Sequence, residues 1–507
     1  MKKIKTLLIS LFTLVSAIFS CSAQLQAAPW VDVSDIYLRA DMQALADAGV
    51  ITVPINTYPL MWSGIGGDLS RVEPSTLSPA IAKAFARVNF YYQNAITNRG
   101  NTSVKVAAAS DAARFQHFGS DYREKGELKV SHEYMGSRFA FKAALSANSD
   151  PMDEKEFRFD DSYLALVVGN WIMTVGAIEQ WWGPGFDTGL IKSNNARPAP
   201  SLMISRNNSA AFETPWLSWI GPWTLTSGIT WLNDERAVED ALLWNVRGSI
   251  RPIRQVEFGL SWTTMFCGEG QECGLSSLWD ALAGKSVCPD GSTNCDPALK
   301  SALGNQMAGF DIRYGDTWFD IPIGLYLERT CEDSKGPMPW ELADCANLFG
   351  VDTRINFDSQ QYKLFFEYSN TLVFCGADPN VFNCFYEHNP NGGTIYESGS
   401  RYYGRSYGST YDSDAKVYVL GVVGQFVNSR GFTSLLRYAQ LNNDGANRGG
   451  LWAPQPLKED LLMLELSYRM PIWLGMMSVG GTISQSEFEV AEKDTNGSVF
   501  ATYEYRF

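Results

Sequence analysis

The last nine residues, Val499 to Phe507, constrain the fold more than any other stretch. Positions 499, 501, 503, 505 and 507 are apolar or aromatic, and Thr502, Glu504 and Arg506 stand between them. A period of two puts the first set on one face of a strand and the second on the other. The pattern recurs in Leu464, Leu466, Tyr468 and Met470, alternating with Glu465, Ser467 and Arg469. It recurs again in Tyr362, Leu364, Phe366 and Tyr368, in Met477, Val479, Gly481 and Ile483, and in Phe139, Phe141, Ala143, Leu145 and Ala147. Leu128, Val130, His132 and Tyr134 precede Met135-Gly136-Ser137, so this region reads as a hairpin. Charges such as Lys363 and Glu465 are costly in a packed core but acceptable on the wall of a wet lumen. Repeated strands with one greasy and one polar face predict a transmembrane antiparallel β-barrel.

The other end of the chain agrees. Lys2, Lys3 and Lys5 precede an uncharged apolar run from Thr6 to Ser20. Small residues follow, so residues 1–27 are expected to be a signal peptide cleaved after Ala23 or Ala27. Cys21 follows Ile18-Phe19-Ser20, and the bulky Phe19 fits a lipidation site poorly. No later apolar run reaches the roughly 20 residues that a membrane-spanning helix needs. A C-terminal Phe507 with Tyr505 two residues before it resembles the signal that the barrel assembly machinery of the outer membrane reads. The expected location is therefore the outer membrane of a Gram-negative envelope, with outer-membrane lipid around the barrel and the long loops at the cell surface.

Between about residues 28 and 100 the period changes. Ile36, Leu38, Met42 and Leu45 follow Asp32 and Ser34 and stop at Gly49, the order of a capped helix. Ser78-Pro79 opens a second helix containing Ile81, Phe85, Val88 and Tyr92. The spacing predicts a small helical domain over 28–100 that plugs the lumen or packs on the periplasmic side. The barrel is expected over 101–507, and at about 22 residues per strand and connection it has about 18 strands.

The charge is −14 and deepens to −17 once the three signal lysines leave 38 basic residues against 55 acidic ones. Such a chain repels phosphate backbones, so nucleic acid is excluded as a partner. Eight cysteines remain after Cys21, in neighbouring pairs: Cys267 and Cys273, Cys288 and Cys295, Cys331 and Cys345, Cys375 and Cys384. In an exported protein these predict disulfides in long extracellular loops. There is no CxxC, and His117, His132 and His388 are not at ligand spacing, so no metal site or cofactor is expected. Asp290, Asn294, Asp296 and Asn442 to Gly445 read as solvated turns rather than calcium ligands. No nucleophile elbow or phosphate-binding loop occurs, and Glu179 with Asp187 is a chance pair among 55 acids, so catalysis is not expected.

One stretch departs from strand patterning: Glu179-Gln180-Trp181-Trp182-Gly183-Pro184-Gly185-Phe186-Asp187, continuing through Asn194-Asn195-Ala196-Arg197-Pro198. With Ala28-Pro29-Trp30-Val31, Tyr37 to Asp41 and Ser205-Arg206-Asn207, it resembles the Wzi family of outer-membrane lectins, which help to hold capsular polysaccharide on the cell surface. The resemblance implies a barrel of about 18 strands, a helical bundle at the periplasmic end and binding of capsular or exopolysaccharide without catalysis. Tryptophan offers flat apolar contact with sugar rings, and Asn and Arg offer oriented donors. The expected glycan-binding residues are Trp181, Trp182, Asn194, Asn195, Arg197 and Arg206, with Arg197 suited to the carboxylates of an acidic polymer. The same residues also fit a purely packing role. The tyrosine-rich stretch from Tyr396 to Tyr411 fits either glycan contact or a loop apron. The alternative function is a porin or polysaccharide export channel.

Overall fold

The computed structural model describes residues 30–96, 100–271, 273–282, 305–334, 342–357, 360–373, 385–386, 396–445, 457–489 and 493–507. The expected signal peptide, Cys288, Cys295, Cys375, Cys384, His388, Asp290, Asn294 and Asp296 lie outside the described residues.

Eighteen antiparallel strands form a closed barrel. The first, Gly100–Ala109, pairs with the last, Asp494–Arg506, placing Val106 opposite Tyr503. That pairing removes both sheet edges, which an open sheet in lipid would leave unsatisfied. The alternation sorts as its chemistry requires. Leu462, Leu466, Phe366, Val499 and Phe507 face outward, while Lys363, Glu367, Ser467 and Thr502 are buried within the barrel. Successive connections alternate between two ends. One end carries short turns, such as Gly136 to Arg138, Phe319-Asp320 and Trp473-Leu474. The other carries long segments, including 177–200, 267–305 and 371–414. The Cys267–Cys273 disulfide begins one long segment, and Cys331–Cys345 ties two neighbouring strands in register.

Among the described residues, three α-helices precede the barrel: α1 (Ile36–Asp47), α2 (Trp62–Leu69) and α3 (Pro79–Ala95). The α1 cap is Asp35, whose carboxylate accepts from the amides of Tyr37 and Leu38 at 2.9 and 3.0 Å. It therefore starts just after the Asp32 and Ser34 positions that the sequence marked. Helix α3 begins at Pro79 as expected, though the Ser78 side chain makes no capping bond. Helix α2 is invisible to periodicity because Gly64, Gly66 and Gly67 weaken helix propensity. Gly66 lets α3 approach: a Cβ there would fall 2.2 Å from the Tyr92 ring of α3, which would have to move.

Helix α1 sits inside the barrel, with nearly every residue buried. Backbone enclosed in a lumen needs hydrogen-bond partners, and wall side chains supply them. Arg251 donates to the carbonyls of Ala46 and Ile51 at 2.7 and 2.9 Å. Glu257 accepts from the amides of Ile55 and Asn56. Arg469 pairs with Asp35, and Arg313 with Asp47. These contacts explain why the lumen face of the strands is polar at this level: its charges pair with the helical segment.

Candidate functional site

From the long-loop end, residues 177–200 fold back into the lumen and meet α1. Trp181 and Trp182 pair antiparallel with Tyr58 and Thr57 of the helical segment. Arg39 of α1 donates to three consecutive carbonyls, Gly183 and Pro184 at 3.2 Å and Gly185 at 2.7 Å. The same guanidinium lies 4.3 Å from the Phe118 ring centre and 4.2 Å from that of Phe186, with Trp181 and Tyr58 completing a cage. Cation–π contact and charge-assisted hydrogen bonding together fix the Gly-Pro-Gly turn to the helix. The barrel wall holds the segment from outside. Glu367 accepts from the amides of Phe186 and Asp187, and Glu328 from that of Leu190. Asp187 accepts from Arg437 at 2.9 Å and from the Tyr411 hydroxyl, and Arg437 continues to Glu465.

The residues marked in the sequence occupy unequal places. Trp181 and Trp182 are both 0% exposed. Trp181 donates its indole N–H to Gly185, and its ring meets Phe118 edge-on. The Asn194 amide donates to the His117 carbonyl, and that of Asn195 to the Ser406 carbonyl. In this arrangement these four hold the segment and offer no face to solvent. Arg197 makes a bidentate pair with Asp160 and a third bond to Asp153. Arg206 is not brought to them. It pairs opposite Trp171 near the short-turn end, donates to the carbonyls of Trp223 and Ala210, and stacks on the Trp223 ring. Glu179 and Asp187 do not act as a pair: Glu179 faces Arg123 at 3.8 Å, while Asp187 belongs to Arg437. Tyr396, Tyr402 and Tyr411 turn their hydroxyls inward to Cys267, Asn233 and Asp187. No metal-ligand cluster occurs among the described residues.

A small cleft of about 20 Å³, room for about one water, lies where the segment leaves the wall. Glu179, Gln180, Lys192, Arg197, Thr230 and Tyr407 supply its polar lining. The Lys192 ammonium sits 3.9 Å from the Tyr407 ring centre, and no carboxylate lies within ion-pair distance of it among the described residues. Burial pushes this ammonium down to about 7. Burial and then the charge of Asp161 push the Glu179 carboxyl up to about 7.

Residues 95–499 match the model of a family described as capsule assembly protein Wzi. The chain belongs to this family. A Klebsiella pneumoniae protein described as an uncharacterized 55.8 kDa protein in the cps region is 29% identical over 334 residues, covering 65% of this chain. The match spans 62% of that protein's length. The solved structure of Escherichia coli Wzi, described as a carbohydrate-binding β-barrel of the outer membrane involved in group 1 capsule assembly, aligns with a TM-score of 0.79. That alignment covers 95% of this chain and all of the E. coli chain at 22% identity, a likeness of fold.

Within this Wzi-family barrel, the sequence did not point to Lys192, Gln180 and Tyr407 as a group. Lys192 and Gln180 stand in the stretch that carried the resemblance, but Tyr407 is more than 200 positions away. The only available signal was one lysine in a segment rich in Gly, Asn and Trp. Nor did period two reveal that Glu328, Glu367 and Arg437 serve backbone of the inserted segment, since alternation gives the face and not the partner.

Proposed function

We propose that this Wzi-family barrel binds capsular or exopolysaccharide at the long-loop end, facing the cell exterior, and helps to attach it without catalysing any reaction. The observation that carries the reading is the insertion of residues 181–192 into the lumen, tied by Arg39 from below and by Glu328, Glu367 and Arg437 from the wall. A barrel filled by its own hydrogen-bonded backbone serves as a rigid platform, and rigid platforms suit weak contacts repeated along a polymer. The carbohydrate binding described for the E. coli relative supports the same reading. Residues 28–100 act here as the periplasmic-side plug, and the C-terminal strand engages the barrel assembly machinery. Trp181, Trp182, Asn194 and Asn195 hold the platform in shape, Arg206 secures a turn at the other end, and Arg197 stands at the cleft where glycan arrives.

The test is co-sedimentation of the purified, detergent-solubilised protein with capsular polysaccharide of its source strain. Binding is expected. Its absence, at polymer concentrations where multivalent contacts register, would overturn the reading.

A further inference from the structure

The outward face of the barrel changes character over three hydrogen-bonded rows near the long-loop end. The lowest row, Val351, Phe366, Leu420 and Leu436, is apolar and exposed. Two residues further along each strand lie Phe349, Tyr368, Tyr418 and Tyr438, whose successive ring centres are 6.5, 4.9 and 6.3 Å apart. Two residues further again, the row reads Arg329, Asn347, Asn370, Lys416, Gln440 and Asp460. Apolar, then tyrosine, then charge is the order met on leaving a bilayer. Arg329 lies beyond Asp320 of one short turn, and Lys416 precedes Phe426 at another, at nearly equal distances along their strands. At about 3.3 Å per residue and a tilt of about 40°, both stand about 25 Å above that end, the height of the apolar band.

The two cations of this row have no acid beside them. No carboxylate lies within ion-pair distance of Arg329 or Lys416 among the described residues, in a chain with 55 acidic residues against 41 basic ones. The row's own acids stand apart: Asp460 accepts from Gln440 at 3.2 Å, and Glu487, opposite Asp460, pairs with Lys493 at 2.7 Å. Asn347 orients Arg329, its side-chain oxygen accepting from the guanidinium at 3.1 Å. Arginine and lysine held at a headgroup boundary without a carboxylate suit phosphate. Three strand spacings, about 14 Å, separate Arg329 from Lys416. A single phosphate does not bridge that span, whereas a disaccharide with a phosphate at each end does.

We propose that this row binds the headgroup of a diphosphorylated glycolipid of the outer leaflet, with Arg329 and Lys416 each meeting one phosphate, Asn347 and Asn370 lying between them, and the Tyr368 and Tyr418 rings below, where the acyl chains begin. The proposal rests on the placement of the long-loop end at the cell exterior in the reading above, and it does not depend on polysaccharide binding.

The experiment is native mass spectrometry of the delipidated, detergent-solubilised protein titrated with diphosphorylated lipid A, with the same lipid after removal of both phosphates, and with phosphatidylglycerol as a single-phosphate control. Wild type is expected to hold diphosphorylated lipid A at least about tenfold more tightly than either control, the value of one charge-assisted contact. Arg329→Gln with Lys416→Gln is expected to lose that preference, and Arg329→Lys with Lys416→Arg to keep most of it. These side chains lie outside the lumen, so heat-modifiable migration should persist in both variants. Equal retention of lipid A with and without phosphate by wild type would overturn the proposal, as would equal retention of phosphatidylglycerol or an unchanged preference in the folded double Gln variant. An epitope inserted after Gly445 and stained on intact cells checks the placement separately. Absence of staining would overturn the placement and this proposal with it, whereas stained cells with no phosphate preference in the purified protein would overturn the proposal alone.

Discussion

Arg437, on the strand Gly431–Leu441, and Asp187, in the segment that enters the lumen from the long-loop end, form an ion pair of 2.9 Å in which neither side chain is exposed. The pair joins wall to insert across 250 positions of sequence. Tyr411 and Glu465 complete the coordination, so neither charge is stranded. Removing one partner strands the other, and for a buried pair that costs about 3–5 kcal/mol.

Arg437→Met is therefore expected to undock the insert and leave the barrel closed. Limited proteolysis should cut within 183–192 while SDS migration stays heat-modifiable. Replacing both partners with Leu should recover part of the protection, since Asp187 is no longer stranded and Glu465, which loses Arg437, still faces His117 at 3.4 Å. Equal protection in Arg437→Met and wild type would show that Asp187 is not what anchors the segment.

Arg39 should control the seal. It supplies three carbonyl contacts and fills a cage of four rings, and no neutral side chain replaces both roles. In planar bilayers the wild type is expected to give no steady ohmic current, and Arg39→Met to give intermittent openings as the Gly-Pro-Gly turn loosens. A steady wild-type current near that of a wide pore would favour a channel over a platform.

Trp181→Ala should weaken docking and not sugar contact as such. Truncating a fully buried Trp costs about 3–5 kcal/mol. Polysaccharide binding is expected to fall only in step with protease sensitivity of residues 183–192. Lost binding with an undisturbed insert would place the sugar against Trp181 and contradict the packing role.

Lys192 should cost stability near neutral pH. The unfolded chain keeps its proton up to about 10.5, but the folded chain keeps it only up to about 7. Between those values the unfolded state binds the additional proton, so this residue's contribution rises with pH across the window. Its burden at and below pH 7 is on the order of 3–5 kcal/mol. Lys192→Met is expected to unfold at higher temperature than wild type at pH 7, with the gap narrowing toward pH 10. A variant no more stable than wild type would mean that the ammonium has a partner in the fold.

Legibility from sequence was uneven for physical reasons. The strand faces were readable because side chains alternate strictly along a strand and lipid tolerates only one kind of face. Leu466 and Ser467 landed on opposite faces as their chemistry requires. Helix α3 was readable from Ser78-Pro79, whereas α2 was hidden because its three glycines weaken helix propensity, and one of them, Gly66, lies against Tyr92 of another helix. Of the six expected glycan residues, five lie in one inserted segment and Arg206 lies toward the other end of the barrel, a separation that adjacency in sequence concealed.

The sequence by itself determined that the chain is a barrel with a helical start and a long irregular insert, because periodicity, caps and turn residues are local properties. It also marked the insert as unlike a strand. Only the tertiary structure decided that the insert turns inward to meet α1, that its tryptophans are sealed from solvent, and that Lys192 faces the Tyr407 ring. Those outcomes depend on which wall charge meets which backbone group across hundreds of residues. Coulombic and hydrogen-bonding partners of that kind leave no periodic trace in a single chain.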